Sequence, residues 1–328
     1  MPINNSKKEI ILNDLKAVGN ILCRTGKMAP GYKSMVTLEL SSVCNLSCPL
    51  CPTGAGKTDR NNKFMPFEML QKIMSMTRSV ASGYVLGMWG EPLLYPRLKE
   101  ALDLTVPMPT WTSTNLNCPE RTAHLLAECE NLHVICALDT LDPSDYPLYR
   151  VNGNYNKVLK NLRIISKGKC NVYPQFLVDP NDYKEDAFTA FADDLGIDPH
   201  NVVIKNKREN FTLEVDKKVV PGICHSPYLG LYFNCDGDLL PCCNDVKRDI
   251  HIANVDDYDS LEELVSAARA VDVRKKLAKD KNAFISCGQC RGESYWKIKL
   301  PVYARGLLQR LPGFRGGKAR PQRMPFEE

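Results

Sequence analysis

Between Val36 and Ile204 the chain alternates short apolar, β-prone runs with stretches of helical periodicity, and this repetition constrains the fold more than any other feature. The strand-like runs cover 36–40, 83–88, 110–114, 132–137, 171–178 and 202–204. Helical stretches at 65–80, 98–104, 121–129, 155–166 and 187–195 lie between them. About six β/α units in about 170 residues predict a parallel sheet, open or curved into a partial barrel. In such a sheet the active site lies at the C-terminal ends of the strands.

The first strand runs directly into Cys44, Cys48 and Cys51, spaced C-x3-C-x2-C, and then into the Gly-containing loop from Pro52 to Lys57. Three thiolates are one fewer than a closed four-cysteine site needs. A 4Fe-4S cluster held by three thiolates keeps one iron open to another ligand. A tight motif of this kind at a strand's end points to a site rather than to packing.

The 14 cysteines in 328 residues are many. The chain is long, its first residues do not form a secretory signal, and the cysteines fall in C-x2-C spacings, so metal binding in a reducing cytoplasm is expected over disulfides. The segment around Lys7, Lys8, Glu9 and Asp14 reads instead as an amphipathic helix with Ile10, Ile11, Leu15, Val18 and Leu22 on its apolar face. No apolar run approaches the roughly 18 residues of a membrane span. The net charge of +5 is uneven: from Tyr295 onward it is +6, leaving about −1 for the rest. A solvated basic tail is the expectation, with no nucleic-acid partner. Cys23, Cys118, Cys129, Cys136 and Cys170 lie in apolar contexts and read as small buried hydrophobes.

From about Lys207 the pattern changes. The runs 231–234 and 239–240 flank Asp236-Gly237, a strong hairpin signature. Residues 261–277 read as one amphipathic helix, followed by Cys287 and Cys290 in a C-x2-C. With Cys224 and Cys242 these make a second set of four thiolates, fit for structural zinc or for a closed cluster. Cys235 reads as a spare thiol. Cys243 is a spare, an alternative ligand to Cys242, or a hydrogen-atom donor to a substrate.

With its triplet on the first strand–loop of a β/α series, the chain resembles the radical S-adenosylmethionine (radical SAM) superfamily over residues 36 to about 205. Trp89-Gly90-Glu91-Pro92 is similar to that family's Gly-Gly-Glu-Pro element, with Trp89 in place of the first Gly. Thr112-Ser113-Thr114-Asn115 is similar to its Thr-Asn-Gly strand end, and Ala137-Leu138-Asp139 to its Ser-Leu-Asp-Gly, with Ala137 in place of Ser. The resemblance implies an AdoMet-binding 4Fe-4S cluster on Cys44, Cys48 and Cys51. AdoMet contacts fall on Gly90, Glu91, Pro92, Thr114, Asn115 and Asp139, and Arg150 is a partner for its carboxylate. The second cysteine set resembles the SPASM or shorter twitch domain, which implies an auxiliary 4Fe-4S cluster on Cys224, Cys242, Cys287 and Cys290. It is similar in spacing to the twitch domain of aminoglycoside-pathway radical SAM dehydrogenases.

The fold expected is α/β, a partial (β/α)6 TIM-like barrel followed by a small cysteine-rich β-hairpin/helix domain. The divisions expected are an N-terminal extension at 1–35, the barrel at 36–206, the auxiliary domain at 207–294 and the basic tail at 295–328. The reaction expected is oxidation of an alcohol carbon of a sugar or cyclitol by a radical SAM oxidoreductase, with the auxiliary cluster as electron acceptor and flavodoxin or ferredoxin as electron donor. Three alternatives stand beside it: epimerisation with Cys243 as hydrogen donor, maturation of a ribosomal peptide, and a noncatalytic Fe–S or zinc scaffold. The peptide reading is weakened because the roughly 35 residues before the first strand hold one helix and not a peptide-recognition domain. Substrate contacts are expected at Gln175, Asp179, Lys205 and Arg208, at the ends of the late strands.

Overall fold

The computed structural model describes residues 5–29, 31–58, 62–206, 224–288 and 290. Arg208, the basic tail and the inter-domain segment at 207–223 lie outside the described residues. The described chain divides into two compact units, one built from 5–38, 68–82 and 224–290, the other from 39–67 and 83–206.

The second unit carries the β/α series. Its strands are β2 (Ala81–Leu86, entering from the other unit at its first two residues), β3 (Thr110–Thr114), β4 (Leu132–Asp139), β5 (Asn171–Val178) and β6 (Val203–Asn206). Each pairs in parallel with the next, so the expected alternation is present, with β3 and β5 at their expected bounds and the others shifted by at most two residues. The crossover helices are α3 (Leu98–Thr105), α4 (Glu120–Ala127), α6 (Tyr155–Ser166) and α7 (Glu185–Asp194), with a short α5 (Tyr146–Tyr149) that periodicity alone does not announce.

Helix α6 shows why these segments fold as they do. Asn154 caps it by accepting the Lys157 N–H, and Val158, Leu162 and Ile165 recur at helical spacing and are fully buried. Its one buried polar residue, Asn161, donates its amide to the Leu116 and Cys118 carbonyls at 3.0 and 2.9 Å. That fixes the loop leaving β3. On the other face of the sheet Trp111, His133 and Tyr173 stack across β3, β4 and β5, with the Trp111 and His133 rings 4.2 Å apart.

The first unit holds α1 (Asn5–Leu22), β1 (Ser34–Leu38), α2 (Phe67–Thr77), whose first residue falls in the other unit, and the C-terminal elements. Helix α1 forms as expected, but Leu15 and Leu22 are exposed; among its described side chains Ala17 and Ile21 are buried, Ile21 against Tyr228 and Ala278. Strand β1 pairs in parallel with β7 (Gly230–Phe233), which follows a short helix, α8 (Ser226–Leu229), and turns into antiparallel β8 (Asp238–Leu240) and then β9 (Ala253–Asn254). The expected hairpin is therefore present. Gly237 at its tip has φ +80°, and a Cβ there would press on Met69 and Val255.

The expected single helix over 261–277 is instead two, Leu261–Ser266 (α9) and Ala268–Lys279 (α10), broken at Ala267 with ψ 141°. Ser260 and Glu263 form a capping box at the start of α9. The break leaves the Val265 carbonyl without its helical partner, and the buried Arg274 guanidinium donates to it and to Gly26. A pattern of apolar residues does not reveal a buried arginine that needs two carbonyls.

Candidate active site and auxiliary cysteine pocket

Every described residue expected to serve AdoMet or its cluster lies in the second unit, at a strand end or on a loop that follows a strand. The cysteine loop coils on itself: the Cys51 N–H donates to the Cys48 carbonyl at 3.1 Å, and Ala55 and Lys57 close two further turns at 2.8 Å. The Gly90-Glu91-Pro92 loop lies directly against the backbone ahead of Cys44. The Glu91 N–H donates to the Val43 carbonyl at 2.7 Å, and a Cβ at Gly90 would collide with the Ser41 carbonyl. Trp89, the departure from the family pattern, accepts the Thr53 hydroxyl at its carbonyl and donates its N–H to Glu39 at 3.4 Å.

Glu91 is buried and committed inward. Oε1 accepts from the Thr114 hydroxyl at 2.6 Å and the Leu93 N–H at 3.1 Å, and Oε2 accepts the Asn115 N–H at 2.8 Å. Burial pushes its pKa up, and the three donors pull it back. Its carboxylate thereby ties the loop after β2 to the end of β3. Asn115 in turn places its amide 3.8 Å from Cys44 Sγ and donates to Asn45 at 2.9 Å. Asn45 holds the Asn117 carbonyl, and the Asn117 side chain reaches the Tyr146 hydroxyl at 2.8 Å. Asn45, Asn117 and Tyr146 were not expected at the site, because isolated polar residues carry no spacing pattern.

Asp139 ends β4 after an irregularity in register, in the left-handed region at φ +69°. Its Oδ2 accepts from Nε and Nη2 of Arg150, both at 2.5 Å. Arg150 Nη1 stands 3.7 Å from Cys48 Sγ, so one guanidinium spans the strand end and the cluster loop. Burial works against the Arg150 charge, but Asp139 outweighs it and holds its pKa above the usual arginine value. Burial pushes Asp139 up, with Arg150, Lys205 and the Gln175 amide pulling it back, so Gln175 and Lys205 do converge on this acid. Asp179 lines, with Asp139 and Arg150, a cavity of about 990 Å³ beyond the ends of β4 and β5.

The thiols suit a cluster. Burial pushes Cys44 up to about 11 and raises Cys48, so these are neutral thiols that metal binding would deprotonate. The Leu46 N–H at 3.4 Å, Asn115 and Arg150 supply hydrogen-bond donors to their sulfurs.

In the first unit a second site forms. Cys224, Cys242, Cys287 and Cys290 line one pocket, walled by Pro241, Ile250 and Leu277. Cys224 is anchored by its N–H to the Leu277 carbonyl at 2.9 Å, and Cys290 by its N–H to Cys287 at 3.0 Å. Burial pushes Cys242 well up, with Cys243 and Cys224 adding to it, and lifts Cys287 to about 12. Cys235 and Cys243 do not line the pocket; Cys235 is buried. Lys281 and Asp245 do line it, and neither belongs to any motif. Among the described residues no three Cys, His, Asp or Glu side chains converge as one metal ion would require. Four cysteines lining one pocket are a donor set that fits a four-iron cluster, which spreads its thiolates over separate irons. Of the five cysteines expected to be buried, Cys118, Cys136 and Cys170 are; Cys129 is half-buried, and Cys23 is exposed because it lies past the end of α1.

Residues 38–193 match the model of the radical SAM superfamily. The chain carries a radical SAM domain. Residues 224–291 match the SPASM iron–sulfur cluster-binding domain. Similar solved structures include Streptococcus suis SuiB bound to S-adenosylmethionine, at 14% identity over 83% of this chain and 74% of that one, with a TM-score of 0.58. BtrN in complex with AdoMet and 2-DOIA matches at 18% identity over 79% and 93%, TM-score 0.52. AnSMEcpe with bound AdoMet matches at 16% identity over 73% and 82%, TM-score 0.51. At these identities the likeness establishes the fold alone: a mixed α/β chain with the parallel sheet core of a partial TIM barrel and a small C-terminal domain. No curated protein matches the chain in a sequence search. The cofactors of this radical SAM enzyme are 4Fe-4S clusters and AdoMet. No described helix is long and apolar enough to cross a membrane.

Proposed function

We propose that this radical SAM enzyme oxidises an alcohol carbon of a sugar or cyclitol. One observation carries the reading: four cysteines, and not three, line the auxiliary pocket, so a cluster held there has no iron free for substrate and suits electron acceptance. When bound, the cofactors supply a 5′-deoxyadenosyl radical that removes a substrate hydrogen and a one-electron acceptor that completes the oxidation. Cys44, Cys48 and Cys51 would hold the first cluster and keep one iron open for AdoMet. Arg150 spends three of its five N–H groups on Asp139 and Cys48, and the remaining two suit the AdoMet carboxylate. Glu91, its carboxylate held from within, would set the Gly90–Pro92 and Thr114–Asn115 backbone that receives the ammonium group. Gln175, Lys205 and Asp179 would meet the substrate beyond the ends of β5 and β6. The domain division at residues 36, 207 and 295, a flavodoxin or ferredoxin donor and a cytoplasmic location belong to the same proposal.

BtrN was solved with the small molecule 2-DOIA, which supports this substrate class, whereas SuiB was also solved bound to a precursor peptide, SuiA, which supports a peptide maturase. Cys243, half-buried and outside the auxiliary pocket, supports an epimerase in which it returns a hydrogen. Anaerobic reconstitution with AdoMet, dithionite and panels of cyclitols and peptides tests all three. Oxidation predicts a product two hydrogens lighter and substrate deuterium in 5′-deoxyadenosine. A product isomeric with the substrate, and one mass unit heavier when formed in deuterated water, would instead identify the epimerase.

A further inference from the structure

Lys281 follows α10 and is 3% exposed. It lines the auxiliary pocket together with all four cysteines, and its Nζ donates to the Cys290 carbonyl at 3.2 Å. A buried ammonium is costly unless it meets negative charge. Two carboxylates face the same cysteines: Asp245 lines the pocket, and Asp249, which accepts the Ser286 N–H at 3.0 Å, acts with it on Cys287. The Lys281 charge acts on Cys224.

We propose that Lys281 is a positioning residue that sets the reduction potential of the auxiliary cluster, holding it high enough to accept the substrate's electron. This rests on the reading of Cys224, Cys242, Cys287 and Cys290 as that cluster's ligands. A cluster held by four thiolates is anionic and gains one further negative charge on reduction, so a fixed cation in a water-poor pocket favours the reduced form. In the oxidation, the substrate radical loses its hydroxyl proton to water and one electron to the cluster as its C–O bond becomes C=O.

The test is a potentiometric titration, read by electron paramagnetic resonance, of the reconstituted full chain. Lys281→Met is expected to lower the reduced-to-oxidised ratio at fixed poise about tenfold, equivalent to about 59 mV for one electron. Lys281→Arg, which keeps the charge, is expected to restore most of it. An unchanged midpoint in Lys281→Met at wild-type iron content overturns the proposal. So does loss of the cluster in Lys281→Met with its retention in Lys281→Arg, which would make the residue an assembly tie to Cys290. If the wild-type chain binds only about four irons, the reading of the four cysteines fails first, and this inference with it.

Discussion

The two cysteine sites solve one problem in opposite ways. The triplet sits within eight consecutive residues, and its geometry is set by turns of its own loop. The fold contributes what surrounds it: Asn115 and Arg150 lie 71 and 102 residues away from the cysteines they approach. The quartet is gathered from 224 to 290, so the fold must assemble the ligands themselves, through β7, β8 and the chain around α10. Its surroundings are short-range by comparison, with Asp245 and Lys281 close in sequence to Cys242 and Cys287. A local ligand set tolerates loss of distant contacts; a dispersed one depends on packing.

The largest effect expected is for Cys44→Ala, which should reduce 5′-deoxyadenosine formation to background and remove about four irons per chain. Persistent AdoMet cleavage in that variant would break the comparison outright. Cys242→Ala should also lose about four irons, yet retain dithionite-driven AdoMet cleavage while forming no oxidised product. The contrast between these two variants is what separates initiation from electron acceptance.

Arg150→Met leaves Asp139 buried without its ion-pair partner and should cost about 3 kcal/mol in chemical denaturation of the metal-free chain. The same change should weaken AdoMet binding in an equilibrium assay. Thr114→Val deletes one donor to the buried Glu91 carboxylate and should cost about 2 kcal/mol by the same denaturation measurement. If Thr114→Val proves as damaging as Arg150→Met, the loop after β2 and not the guanidinium organises the triplet's surroundings.

The placement of the candidate site was legible in the sequence because short motifs mark strand ends: Glu91, Thr114–Asn115 and Asp139 fall where the β/α order puts them. The inward commitment of Glu91 was not legible, since its partners lie on the next strand. The break between α9 and α10 was not legible, since the buried Arg274 that meets the freed carbonyl also reaches one 248 residues away. On α1 the apolar spacing predicted the helix correctly and the buried side partly wrongly, since Leu15 stays exposed while Ala17 and Ile21 are covered.

The sequence by itself determined the element types, the family and the two thiol counts, because periodicity and cysteine spacing are local properties of the chain. Tertiary structure alone decided which charges and amides stand around those thiols. Arg150 beside Cys48 and Lys281 beside the auxiliary four are single residues without a pattern, placed by strand pairing and helix packing between distant segments.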